Sequence, residues 1–175
     1  MLKIFFFCYK NFFNTYFLLG DIMINWKNLI INLAISLGVG FLSALLTMNN
    51  QNIYDIINVP SFAPPGWLFP VVWTILYILM GISSYLIYEE NNINSSSALR
   101  VYGSQLFVNF FWSIIFFNMK NFTFAFVWLL LLIILIIVMI YRFYKINKLA
   151  AYLNIPYLLW VVFAGILNFS IIILN

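Results

Sequence analysis

FTFAFVWLLLLIILIIVMIYRFYK, residues 122–145, decides the fold class. From Phe122 to Tyr141 it holds no charged side chain, and Arg142 and Lys145 close it with the cationic groups that mark a water boundary. A helix crossing about 30 Å of hydrocarbon needs roughly 20 such residues, because buried backbone polar groups must pair within the segment. The rest of the chain agrees. Of its 175 residues 66% are hydrophobic and 7% charged, against roughly 45–50% apolar and 25% charged in a soluble domain. A water-soluble fold has no interior large enough for that much apolar surface.

Four more apolar runs flank the first: Leu29–Met48, a run opened by Pro64 and Pro65 that extends to Tyr88, Leu99–Phe117, and one from Asn154 and Pro156 to Leu174. The expected architecture is an all-α integral membrane five-helix transmembrane bundle, one domain over residues 23–175. Proline is tolerated in a first helical turn, whose N–H groups lack internal partners, so the second helix is expected to start near Gly66. Pro70, about a turn further in, is expected to remove a backbone hydrogen bond and bend the helix. Asn49–Ala63 is the longest connection, and Glu89–Ser97 is the most polar segment. In residues 1–22 Lys10 and Asn11 interrupt the apolar runs and no small-residue cleavage site follows. They read either as an upstream extension without function, Met23 being the natural start, or as an aromatic anchor lying on the membrane surface.

Charge sets orientation and excludes several functions. Lys3, Lys10, Lys27, Arg100, Arg142, Lys145 and Lys148 fall on one side of the expected bundle and only Lys120 on the other. The positive-inside rule then puts the N-terminus in the cytoplasm and Asn49–Ala63 outside. The net charge of +4 comes from scattered residues, not from a basic run, so nucleic acid is not an expected partner. Asp21, Asp55, Glu89 and Glu90 all lie outside the apolar runs, Cys8 is the lone cysteine, and histidine is absent. A proton relay, a metal site, acid–base catalysis and a strong axial haem ligand are therefore unsupported within the spans, and no cofactor is required.

What the spans do carry is aromatic and carboxamide side chains at helical spacing. Trp73 and Tyr77 share a face, as do Gln105, Asn109 and Trp112, and as do Trp160, Ala164 and Asn168. Counting rise from the outward helix ends puts Trp112 and Asn168 roughly 9 Å deep, Trp73 about 10 Å, Asn109 about 13 Å, and Tyr77 and Ala164 about 15–16 Å. Trp160 and Gln105, at roughly 21 Å, are the expected floor. Such a wall suits a large, flat, mostly apolar ligand, since indole faces stack while amides orient a polar edge. The same residues also suit an interfacial aromatic belt with carboxamides joining helices, and spacing alone leaves both readings open.

Three ordered motifs add a resemblance. VPSFAPPGWLFPVVWTILYILMG (Val59–Gly81), QLFVNFFWSIIFF (Gln105–Phe117) and PYLLWVVFAGILN (Pro156–Asn168) are similar to signatures of the TspO/MBR family of translocator and tryptophan-rich sensory proteins. The resemblance implies a five-helix membrane protein, often a homodimer, that binds tetrapyrroles such as porphyrin or haem. It implies a pocket of Trp73, Tyr77, Asn109, Trp112, Trp160, Ala164 and Asn168, to which the depth reading adds Gln105, under a lid formed by Asn49–Ala63; Pro60, Phe62, Pro64, Pro65 and Trp67 are the candidate lid residues. The chain departs from the family pattern at Phe62, where many members have Trp, and at Pro70–Val71, where a Gly-Pro pair is frequent. The sterol-recognition pattern of mammalian members is missing after the fifth helix, so sterol binding is not expected.

The function expected is porphyrin or haem transport, sequestration or sensing, in a multi-pass protein of the bacterial cell membrane whose partners are lipid, a tetrapyrrole and a second copy. The alternative implied by the family is light- and oxygen-dependent porphyrin breakdown, with Trp73 and Trp160 as the residues concerned. A purely structural or assembly role is the third reading.

Overall fold

The computed structural model describes residues 24–175, and the 1–22 segment considered above lies outside them. Helix α1 is Trp26–Thr47, and Asn25 caps it by accepting the Asn28 N–H at 3.3 Å. A 3-10 helix, Met48–Asp55, follows. Helices α2 (Leu68–Glu89) and α3 (Ser95–Ser113) come next, and α3 runs on into a wide π turn, Ile114–Asn118. Helix α4 is Phe122–Tyr144, α5 is the short Lys148–Leu153, and α6 is Ile155–Leu174. Asn121 and Asn147 cap α4 and α5 by accepting the Phe124 and Ala150 N–H groups, each at 3.0 Å. Carboxamide caps recur because each supplies an acceptor to an orphaned first-turn amide.

Helices α1, α2, α4 and the continuous α5–α6 unit are long and apolar enough to cross a membrane by composition alone. The fifth span, α3, carries Arg100, Ser104, Gln105 and Asn109. It is sheltered by packing on α1, α2 and α4. The chain is therefore an integral membrane protein built as a five-span helical bundle, with no strand among the described residues.

Three local expectations need correction. Helix α2 begins at Leu68, not near Gly66, because the Pro65 and Gly66 carbonyls accept the Leu68 and Phe69 amides (2.9 and 3.3 Å) in tighter turns that precede the helix. Pro70 is consequently the third helical residue, where an N–H has no intrahelical partner, so the expected cause of a bend disappears. The connections expected on either side of the bundle also hold helix: Met48–Asp55 within the outer loop, and α5 before Pro156.

Small residues and hydroxyls join the helices, as expected where lipid offers no hydrophobic drive to association. Ser36 Oγ donates to the Tyr77 carbonyl at 2.8 Å, and Ser84 Oγ donates to Asn32 Oδ1 at 2.9 Å, tying α1 to α2. Next to Ser84, Ser83 Oγ donates to the Ala150 carbonyl (2.7 Å) and accepts from Asn154 Nδ2 (2.6 Å), fixing α2 to the α5–α6 unit. Arg142 Nη1 donates to Ser97 Oγ at 2.7 Å, and Trp128 Nε1 donates to the Val108 carbonyl at 2.7 Å, joining α4 to α3.

Candidate functional site

Helices α1, α2, α3 and α6 enclose a cavity of about 340 Å³ beneath the Met48–Trp67 connection. Helix α1 gives it a smooth side: Gly40, Ser43, Ala44 and Thr47. Gly40 is required there by a close approach, since a Cβ would fall 2.6 Å from Tyr77 Cδ2. Opposite stand Phe69, Pro70, Trp73 and Tyr77 of α2, with Gly66 at the mouth. Helix α3 contributes Asn109, Trp112 and Ser113, and α6 contributes Trp160 and Ala164. Phe117, in the π turn, completes the wall, and Trp112 stacks on Phe116 beside it at 5.2 Å. A π turn widens the helix locally and re-aims the residues it carries, and such turns recur at functional sites.

Polar groups are few and fixed. Asn109 Nδ2 donates to Tyr77 Oη at 3.1 Å, and the Trp73 ring lies 5.7 Å from that of Tyr77 and 6.1 Å from that of Tyr157. The Trp112 and Trp160 indole nitrogens are buried without a hydrogen-bond partner among the described residues. Buried donors are normally paired, so these two orphaned N–H groups, one on α3 and one on α6, belong to cavity residues whose hydrogen bonding the described residues leave incomplete. Among the described residues the wall holds no Asp, Glu, His, Lys, Arg or Cys.

Of the eight residues read from the sequence, Trp73, Tyr77, Asn109, Trp112, Trp160 and Ala164 line the cavity together, whereas Gln105 and Asn168 do not. Gln105 is fully buried below it, accepting from Tyr157 Oη at 2.8 Å and donating to Met80 Sδ at 3.7 Å. Asn168, oriented by its surroundings, faces α4, where it donates to the Phe122 carbonyl and accepts the Phe126 amide, both at 3.1 Å. Its role is to anchor the start of α4 to α6. Asn168→Leu is therefore expected to lower the unfolding free energy in detergent by about 1 kcal/mol while ligand affinity stays within about twofold of wild type.

Trp160 is a side wall and not the floor, because its ring packs on Phe69 in the first turn of α2 (5.9 Å) and on Phe163 (5.5 Å). The floor is the Tyr77–Asn109 pair. Among the lid residues, Phe62 sets its ring edge against Phe163 at 6.4 Å, and the Pro60 carbonyl accepts the Ala63 amide at 2.9 Å. Pro64 is half-buried and Pro65 exposed, and Trp67 is 68% exposed at the N-cap of α2, outside the cavity wall. Asn58 secures the lid: its N–H donates to Asn175 Oδ1 and its carbonyl accepts from Asn175 Nδ2, each at 3.0 Å. The α1 wall was not anticipated from composition. Its signal is Gly40, Ser43, Ala44 and Thr47 at steps of three, one and three, a small-residue face.

The TspO/MBR family profile matches residues 32–174, a stretch that includes every residue of this wall. The chain belongs to the TspO/MBR family. Relatives include the tryptophan-rich protein TspO of Archaeoglobus fulgidus, 37% identical over 86% of this chain and 99% of its own length. The translocator protein of Homo sapiens is 34% identical over 79% of this chain and 84% of its own. The tryptophan-rich sensory protein of Cereibacter sphaeroides is 34% identical over 70% of this chain and 76% of its own. Family membership and the four long apolar helices together make this an integral membrane member of the family, with the cavity in the part of the chain that the family profile covers.

Proposed function

We propose that the cavity binds a flat tetrapyrrole, protoporphyrin IX or a close derivative, and that the protein transports, sequesters or reports it. The observation that carries this reading is the cavity wall itself: the aromatic rings of Trp73, Tyr77, Trp112 and Trp160 around an Asn109–Tyr77 hydrogen bond, with two unpaired indole donors. Stacking faces suit a conjugated macrocycle, and the Asn109–Tyr77 pair suits its polar edge. The chain has no His, and no Cys is among the described residues of the wall, which favours a metal-free porphyrin over one held by a strong axial ligand. The charge asymmetry of the sequence orients the start of α1 toward the cytoplasm and the cavity mouth outward, in a bacterial cell membrane, and a homodimer is the assembly in keeping with the family resemblance.

Titration of the purified protein with protoporphyrin IX in the dark tests this. Saturable binding is expected, with Trp73→Ala and Asn109→Leu each weakening it about tenfold, the first by loss of ring contact and the second by stranding the Tyr77 hydroxyl. Wild-type affinity in both variants would remove the cavity from the account. A second reading, aerobic photodegradation, draws on Trp73 and Trp160 both lining the wall. Its mark would be bleaching of the complex in light that outpaces bleaching in detergent and slows in the Trp73→Phe and Trp160→Phe variants.

A further inference from the structure

Helix α2 packs chiefly on α1 and α6 chiefly on α4, which leaves a seam between α2 and α6. The seam is an apolar cleft of about 410 Å³, walled by Val72, Ile75 and Leu79 on one side and Leu159, Trp160 and Phe163 on the other. Ile75 and Leu159 are 53% and 65% exposed, so the cleft opens toward the lipid. Trp160 belongs to both this cleft and the inner cavity, and is the partition between them. Among the described residues no hydrogen bond fixes its indole, whose nitrogen is buried; its ring neighbours are Phe69 and Phe163. The water-facing side is secured differently. There Asn58 and Asn175 are doubly hydrogen-bonded, Ile53 is buried to 2% exposure, and Phe62 lies on Phe163.

We infer that the cavity is loaded sideways from the bilayer through the α2–α6 seam, with Trp160 as the gate and the cavity's own flat apolar ligand as the seam's transient occupant. The inference rests on the ligand-binding reading above and adds the route. A ligand dissolved among lipid chains keeps its apolar surface out of water along this path, whereas a path under the lid would expose that surface and break the Asn58–Asn175 pair. A single side chain held by ring contacts is a smaller barrier than a loop pinned by hydrogen bonds.

The test uses full-length protein reconstituted in phosphatidylcholine vesicles and mixed rapidly with vesicles carrying protoporphyrin IX. Ile75→Phe and Leu159→Phe narrow the seam from opposite walls, and neither residue lines the inner cavity. Each is expected to slow association and dissociation together by about tenfold, leaving the equilibrium constant within about twofold. Bridging Asn58→Cys to Asn175→Cys with a bifunctional thiol reagent, in a Cys8→Ser background, is expected to leave both rates unchanged. Loading that stops when the lid is bridged, but runs at the wild-type rate in both seam variants, overturns the route while leaving the binding site standing. Failure of the wild type to bind saturably overturns the binding site and the route with it.

Discussion

Gly40→Leu is expected to abolish protoporphyrin IX binding, weakening it at least about hundredfold, while the helical signal of the protein is retained. A Cβ at this position already falls 2.6 Å from Tyr77 Cδ2. A leucine must either displace the Tyr77 ring or extend into the cavity, and both outcomes consume the space between α1 and α2. Overpacking of this kind costs about 1–3 kcal/mol, and a hundredfold loss of affinity corresponds to about 2.7 kcal/mol. Circular dichroism and a dark titration on the same preparation check it. Affinity within about threefold of wild type would mean that Tyr77 does not bound the ligand site.

Gly81→Ala is expected to destabilise the bundle by about 1–3 kcal/mol, against the usual gain from replacing a helical glycine. The new methyl would meet Ser36 Oγ at 2.6 Å and Leu33 Cα at 3.0 Å. The second contact is with backbone, so α1 as a whole must move away, and the Ser36 bond to the Tyr77 carbonyl stretches with it. Gly38→Ala is the control: nothing lies within 4 Å of its Cβ, and the change is expected to be neutral or stabilising by up to about 1 kcal/mol. Thermal unfolding in detergent distinguishes the two glycines by the sign of the change. Equal behaviour would mean that α1 and α2 are not held at the distance described.

The spans were legible in the sequence because apolarity at this length has one physical solution, and the run that opens at Phe122 and is closed by Arg142 and Lys145 is the helix Phe122–Tyr144. Ends set by local turn geometry were less legible. Pro64 and Pro65 carry the mark of a first helical turn, yet the Pro65 and Gly66 carbonyls close tighter turns that defer α2 to Leu68. Helix α5 left no separate trace because KLAAYL is short and flows into α6 with only Asn154 between them. Depths failed at Trp160 because they were counted from helix ends assumed to lie level. The contacts of Trp73 with Tyr157 and of Trp160 with Phe69 show α6 set further outward than α2.

The candidate site was legible where residue type declares chemistry. Trp73, Tyr77, Asn109, Trp112 and Trp160 were collected by spacing and do share one cavity. Carboxamides are ambiguous, since an Asn or Gln satisfies a neighbouring helix as well as it faces a ligand; Gln105 and Asn168 took the former course. The α1 wall stayed hidden for the opposite reason. Glycine, serine and alanine carry little chemistry of their own, and their contribution here is the room they leave.

The most direct test places one thiol at the cavity mouth. Gly66 lines the cavity, is exposed, and has nothing within 4 Å of where a Cβ would stand, so Gly66→Cys in a Cys8→Ser background is sterically free and leaves a single cysteine. Its alkylation by a water-soluble maleimide should slow at least about tenfold at saturating protoporphyrin IX, whereas Ser61→Cys, exposed on the lid and outside the wall, should react at an unchanged rate. Undiminished labelling of Gly66→Cys while porphyrin is demonstrably bound would contradict the account, because the ligand would then occupy some other part of the molecule.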